Sequence, residues 1–439
     1  MKAKDIGLKI LVEVARFLLG ITFTFSGFVK MIDPLGTAYK IQDYFIAFGL
    51  ESLYFLSLPF SILLCVTEFS VGIFMVLGLY RKWTTRVALL IMLFMTPLTL
   101  YLAVANPVAD CGCFGDALII TNWETFYKNI VLLAAAVITV IYNQKIFNFF
   151  TGKFYWLAGI WIVFFGIVFS LYNYYTEPMI DFRPYKIGAN LPELMSVEEG
   201  KGDVYENIFI YEKDGVKKEF TEDNYPWQDT SWIFVDRINK LVKEGQKPII
   251  TDFEIERLYF NPNKTDFEGI ENITDEILTE DENYVFLMIA YSLEDIRETY
   301  LSRFVDVNNY AVEYHYNFYC LTASTKEQII EWENEYANNF KFCLTDERTL
   351  KTMMRSNPGL MLLKNGVIIN KWAGNEVPSE EYLTKPLDEL PYGNIPDEKA
   401  DTDRQMIIVI LIFAIPLLFI KILDFVIYNR RKYIPKEKS

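Results

Sequence analysis

Six long apolar runs, at residues 9–30, 53–79, 84–105, 123–142, 154–175 and 405–427, divide the chain. Each has the roughly 20 residues that a helix needs to cross the hydrocarbon of a bilayer, so the pattern predicts six crossings. Between the first two, residues 36–50 mix Tyr39, Ile41, Tyr44, Phe45 and Phe48 with Lys40, Gln42 and Asp43. That mixture predicts an amphipathic helix lying on the membrane surface. Thr121-Asn122-Trp123-Glu124 is a capping box that opens the fourth run.

After Glu177-Pro178 the period shortens to that of strands. Residues 207–211 and 217–221 flank Asp214-Gly215, the signature of a tight hairpin, and residues 232–235 read as a further strand. From Pro248 onward strands alternate with capped helices. Residues 252–255 and 273–274 are similar to the entry hairpin of TlpA-type thioredoxin-like domains, and residues 284–290 form an apolar run of the central-strand kind. Ser292-Leu293-Glu294-Asp295 and Ser324-Thr325-Lys326-Glu327 each predict a helix start. Residues 317–321 and 340–344 are strands, and Asn357-Pro358 leads into a last apolar run that ends on Lys364-Asn365-Gly366.

Charge sharpens this division. The 439 residues are 52% hydrophobic with net charge −15, but residues 181–403 hold 45 acidic against 23 basic side chains, leaving 12 against 19 elsewhere. An acidic soluble region has no electrostatic reason to bind a phosphate backbone, which excludes nucleic acid. Lys2, Lys4, Arg81, Lys82, Arg86, Lys145, Lys153, Arg430, Arg431 and Lys432 all fall on one side of a six-span topology. The positive-inside rule makes that side cytoplasmic and puts both termini there. The loop around residues 109–116 and the acidic region then face outward, in a bacterial inner membrane toward the oxidising periplasm. The first run is followed by no Ala-x-Ala cleavage pattern and is read as a retained anchor.

Candidate chemistry concentrates in Cys111-Gly112-Cys113. Two cysteines one glycine apart are close enough to bond, which points to a reversible thiol pair; a structural staple or two small packed residues is the plainer alternative. A metal site is weaker, because two thiolates leave a tetrahedral ion short of ligands. Any ring closed here is small and tight, so a disulfide is expected to be labile. Asp110 and Asp116 flank the pair and are expected to raise both thiols. Inside the spans stand Glu13, Arg16 and Glu68. Their depths let Arg16 bridge to Glu68, as a helix-locking ion pair or as a place for a quinone. Cys65 is too deep to reach Cys111 and is read as packing, and His315 lacks a visible catalytic partner.

Cys111-Gly112-Cys113-Phe114-Gly115 after a third apolar helix resembles the signature of MauE, a four-helix relative of the DoxX membrane family. Leu19-Gly20, Ser26-Gly27, Lys30 and Asp33-Pro34 are similar to the DoxX opening. Residues 181–185 and 232–247 look like the periplasmic extension of Bacteroidetes members, and residues 248–392 resemble TlpA-type thioredoxin-like domains. In a redox-active relative a Cys-x-x-Cys would stand at residues 291–296, which contain no cysteine, so the domain is expected to be degenerate. Pro358 matches the cis-proline of that fold, with Cys320 and Cys343 at strand ends on one edge of the site, as a structural disulfide or as core thiols.

The expected architecture is an α-helical membrane bundle with a periplasmic α/β thioredoxin-like domain. Residues 1–150 form the four-helix DoxX/MauE-like core, 151–178 a fifth transmembrane helix and 179–247 a small β-rich subdomain. Residues 248–392 form the thioredoxin-like domain, and 393–439 an acidic linker, the last transmembrane helix and a basic tail. The resemblance implies a link to disulfide formation in exported partner proteins, and the favoured function is thiol–disulfide handling or redox-linked maturation of such partners with Cys111 and Cys113 as the reacting pair. Such a site needs an electron route, for which a quinone beside Arg16 and Glu68 is the candidate cofactor. The alternative is a non-enzymatic membrane scaffold or assembly factor whose degenerate domain binds periplasmic partners.

Overall fold

The computed structural model describes residues 3–433 apart from 109, 199, 223, 244, 252, 280–282 and 337. Lys2 and Asp252, and the side chains of Lys4, Arg430, Arg431 and Lys432, lie outside the described residues. The first half of the chain is helical: α1 (Ala3–Ile32), α2 (Pro34–Ala47), α3 (Ser57–Leu77), α4 (Arg81–Ala105), α5 (Asn122–Ile141) and α6 (Tyr155–Tyr175). Short α7 (Leu191–Met195) follows. α1, α3, α4 and α5 form a bundle around Leu19, Phe23, Met75, Met92 and Leu132, and α6 packs beside α3. The burial pattern is inverted relative to a water-soluble bundle. Thr85, Thr99, Thr125, Asn129 and Thr139 are buried, whereas Leu90, Phe94, Val104, Val131 and Ile141 point outward. Helices that hide polar groups and display leucine belong in lipid.

Among the described residues five helices are long and apolar enough to cross a membrane: Glu51–Leu77, Arg81–Ala105, Asn122–Ile141, Tyr155–Tyr175 and Thr402–Tyr428. The sequence predicts six; α1, with Glu13 and Arg16 in its first half, is not among the five but packs in the same bundle. α1 and α3 approach closely because each offers glycine. A Cβ on Gly27 would run into the backbone of Phe69, and one on Gly72 into the backbone of Thr24. The amphipathic stretch is α2, starting at Asp33, whose carboxylate accepts from the Gly36 N–H at 2.8 Å and caps the helix.

The second half holds two sheets. β1 (Val204–Lys213), β2 (Val216–Phe220) and β3 (Ile233–Lys243) form an antiparallel sheet in the order β2-β1-β3, with Lys213 opposite Val216 across the Asp214-Gly215 turn. The larger sheet uses β4 (Glu256–Phe260), β5 (Phe267–Asn272), β6 (Tyr284–Ile289), β7 (Asn317–Thr322), β8 (Lys341–Leu344), β9 (Gly359–Lys364) and β10 (Val367–Ala373). Its order is β10-β9-β6-β7-β8-β4-β5, with β6, β7 and β8 parallel and the outer pairs antiparallel.

The intervening helices are α8 (Thr274–Thr279), α9 (Leu301–Glu313), α10 (Lys326–Tyr336) and α11 (Glu347–Met353). β6 alternates perfectly. Tyr284, Phe286 and Met288 enter one core with α9 and α10, while Val285, Leu287 and Ile289 enter a second core with α7, α8 and α11. The stretch from Tyr185 to Leu191 also packs into this second core. α12 (Glu398–Tyr433) returns to lie against α6.

Two local expectations change and a third holds. Ser292-Leu293-Glu294-Asp295 does not open a helix: Ser292 Oγ is spent on the Asp295 carboxylate at 2.8 Å, and α9 begins at Leu301. Cys320 and Cys343 do not share an edge. Leu321 stands opposite Cys343, so Cys320, one residue away, points to the other face, and both are fully buried free thiols. The Asn357–Pro358 bond is cis, and Asn357 Nδ2 donates to the Ser292 carbonyl at 2.8 Å.

Candidate thiol site

The loop between α4 and α5 is tied down at both ends. Asn106 takes a left-handed conformation that stops α4, and Asn122 Nδ2 reaches back to Asn106 Oδ1 and the Val108 carbonyl, both at 3.1 Å. Thr121 and Glu124 close a complete capping box on α5. Within the loop Asp110 Oδ1 accepts from the Gly112 N–H at 2.8 Å, and Gly112 takes φ +65°, where a side chain would be strained and would also press on Lys40.

Neighbouring helices hold each cysteine by its carbonyl. The Tyr44 hydroxyl of α2 donates to Cys111 O at 2.8 Å, and Ser26 Oγ of α1 donates to Cys113 O at 2.6 Å. This leaves the two sulfurs facing each other, unbonded, at 3.0 Å. Cys111 is buried; Cys113 is half-buried and lines a cavity between α1, α3, α4 and α5 with Lys30, Glu68, Met92, Lys128 and Asn129.

The flanking aspartates do not act as their positions suggest. Asp110 is paired with Lys40 at 2.7 Å, and Asp116 lies 3.4 Å from Arg355 of the α/β domain. Their charge is therefore answered before it reaches the sulfurs. The hydrogen bond with Cys111 pulls the Cys113 thiol down to about 6 and, helped by Lys128 and Lys30, outweighs its burial. Cys111, hydrogen-bonded to that sulfur and buried, moves up. The pair is thus asymmetric, with the Cys113 thiol lowered and the Cys111 thiol raised.

Arg16 and Glu68 do not meet. Arg16 pairs with Glu13 at 2.9 Å and donates to the Phe147 carbonyl at 2.6 Å, toward the end of the bundle away from the cysteines. Glu68 instead accepts from Lys30 at 2.8 Å, with Ser26 Oγ 2.8 Å away, directly behind Cys113. Helical depth alone left their neighbours undetermined, and Lys30 offered α3 a nearer cation. A quinone held between Arg16 and Glu68 has no common site to occupy, and the residues give it no fit. Cys65, fully buried, sits 3.9 Å from Ser61 Oγ. His315 is exposed at the end of α9. The sequence reading missed Lys128, Asn129 and Lys30 as neighbours of the thiols. Lys128 could have been found, since it is the lone cation of α5 and lies within its second turn.

Arg355 links this loop to the α/β domain. Its guanidinium grips Asp33 at 2.6 and 3.0 Å, while the Arg355 and Ser356 N–H groups both donate to Glu177 Oε1 at 3.0 Å. Glu177 also holds Arg183 at 2.9 Å, which holds Asp181, which holds Lys371 at 2.7 Å. Burial would raise Asp33, but Arg355 keeps it below the usual carboxylate range. Asp116 is pushed up by burial and by Asp33.

A multi-pass helical bundle in lipid, carrying a cysteine loop at one end and a separate sheet-rich region docked on that loop, is the class of protein defined here. Residues 8–142 match the family model of methylamine utilisation protein MauE, and the region from α1 to α5 is MauE-like. Residues 205–244, the three-stranded sheet, match a domain of unknown function, DUF8463. No curated protein and no solved structure matches the chain.

Proposed function

We propose that this membrane protein exchanges thiols and disulfides with exported partner proteins through Cys111 and Cys113. The observation that carries this reading is geometric: the two sulfurs face each other, unbonded, at 3.0 Å, and Cys113 lines a cavity between the helices, its thiol lowered by the hydrogen bond with Cys111. In the reaction the Cys113 thiolate attacks one sulfur of a partner disulfide. The partner S–S bond breaks as the mixed disulfide forms, and the partner's other sulfur leaves as a thiolate. Cys111 then loses its proton and attacks the Cys113 sulfur, releasing the partner's second thiolate. The pair is oxidised and the partner reduced; the reverse sequence oxidises a partner dithiol.

In this reading the protein sits in a bacterial inner membrane with its termini in the cytoplasm and the cysteine loop in the periplasm, as the basic loops favour. Residues 248–392 act as a degenerate thioredoxin-like domain that docks the partner. The parallel β6-β7-β8 order and the cis Asn357–Pro358 bond beside Ser292 support that assignment.

The test is a trap. A Cys111→Ala chain keeps the attacking Cys113 sulfur, with Lys128 and Lys30 still beside it, and lacks the resolving thiol, so it should accumulate a mixed disulfide on non-reducing gels, and Cys113→Ala should not. Absence of any adduct from both chains, with either alanine variant fully active in vivo, removes the exchange reading. The scaffold reading then stands, favoured by the α/β domain's lack of an accessible thiol: Cys320 and Cys343 are both fully buried.

A further inference from the structure

The three-stranded sheet has no core. Among the described residues from 201 to 249 none is buried, and Trp227, Ile233, Phe234 and Val242 are 53% to 70% exposed. A sheet of this kind is stable when an apolar surface is covered, and an exposed patch of such residues marks an interaction surface. Among the described residues β3 pairs only with β1, so the whole length of Ile233–Lys243 presents open backbone hydrogen-bonding groups on its other side.

That open edge is complementary to itself. Laid antiparallel against a second β3 about a two-fold axis at Ile238, Asp236 of each copy meets Lys240 of the other, Arg237 meets Asn239, and Ile238 meets Ile238. Opposed residues must share a face, so the axis can shift only by whole residues. One step either way sets Asp236 against Ile238 or Val242 and loses both charge pairs. Within its own chain Asp236 lies opposite Ile210, not a cation, so the acid lacks a cross-strand partner until a second copy supplies one. Register shifts at Val235 and Val242 bracket a regular stretch, residues 236–241, and confine pairing to it.

We propose that β3 is a dimer edge: two copies of this chain join their three-stranded sheets through antiparallel β3–β3 pairing centred on Ile238, forming one continuous six-stranded sheet. This is independent of the thiol chemistry and depends only on residues 204–243.

The full chain in its membrane, carrying Ile238→Cys, should form a disulfide with itself under mild oxidation and shift the 51.3-kDa chain to twice that mass. Leu241→Cys is the register control. Its two copies would stand about 20 Å apart along the paired strands and should stay at the mass of one chain, as should the wild type. Asp236→Lys and Lys240→Asp, each added to Ile238→Cys, set like charges opposite each other twice per dimer. Each chain alone should lose at least about fivefold in cross-linking, and co-expression of the two should restore it, because the mixed dimer pairs Lys with Asp at both places. Recovery on mixing also shows that both variants fold. The proposal is overturned if Ile238→Cys stays at the mass of one chain, if it cross-links to a different protein, if Leu241→Cys dimerises as well, or if mixing restores nothing.

Discussion

At the scale of single residues, the chemistry of the loop depends on which cations face which sulfur. Cys113 is drawn down by its bond with Cys111 and by Lys128 and Lys30, while Lys40 and Arg355 engage Asp110 and Asp116. Alkylation of Cys113 by iodoacetamide should therefore rise through a midpoint near pH 6 and be flat above it, where an ordinary thiol would still be gaining rate up to about pH 8.5. Lys128→Met removes one attracting charge and should move that midpoint upward without unfolding the bundle. A midpoint that stays put in this variant would show that Lys128 does not lower Cys113. Cys65, Cys320 and Cys343 are fully buried and should label only after denaturation.

Among elements, α1 is the organising helix of the membrane region, although it carries more charge than its neighbours. Its glycines let α3 come to backbone contact, and that contact sets Ser26 and Lys30 against Glu68. Gly27→Val should force the helices apart at Phe69, cost about 1–3 kcal/mol, and lower the membrane level of the protein. Gly7→Val, whose added Cβ meets nothing within 4 Å, should leave accumulation unchanged. Equal loss in both variants would mean that the close crossing is not what holds α1. The capping box and the Asp214-Gly215 turn were legible in the sequence because each is a local pattern a few residues long. The start of α9 was not, because Ser292 finds Asp295 and Leu293 finds Ser324, competing partners that no capping rule anticipates.

Across the whole molecule, Arg355 joins the α/β domain to the cysteine loop. It is nearly buried with Asp33, and removing one member of such a pair costs about 3–5 kcal/mol because the other charge is left behind. Arg355→Ala should free the domain from the bundle and expose residues 176–190 to protease, with both halves still folded. Protection equal to wild type would show that the remaining contacts suffice. Acid should do the same. Asp33 is lower in the folded protein than in the unfolded chain, so its contribution is complete above the ordinary carboxylate range near pH 4 and is lost as pH falls through its depressed value. Topology is tested at this scale too. A reporter after Ser439 and one inserted near Gly200 should lie on opposite sides of the membrane, the first in the cytoplasm; a cytoplasmic signal near Gly200 would place Cys111 and Cys113 in a reducing compartment and end the exchange reading.

Residues close in the chain determined a good deal by themselves. Run length and hydropathy marked most of the membrane helices, an unbroken apolar run marked the central strand β6, and Cys111-Gly112-Cys113 marked the loop and its likeness to MauE. Only the tertiary structure decided who meets whom. Glu68 went to Lys30 and not to Arg16, Cys320 and Cys343 went to opposite faces, and Asp116 found Arg355 from 239 residues away. Such choices depend on helix rotation, strand register and domain docking. Hydrophobic pattern says that a charge in a membrane helix needs a partner, but the partner is picked by three-dimensional packing, and with it the charge that each cysteine feels.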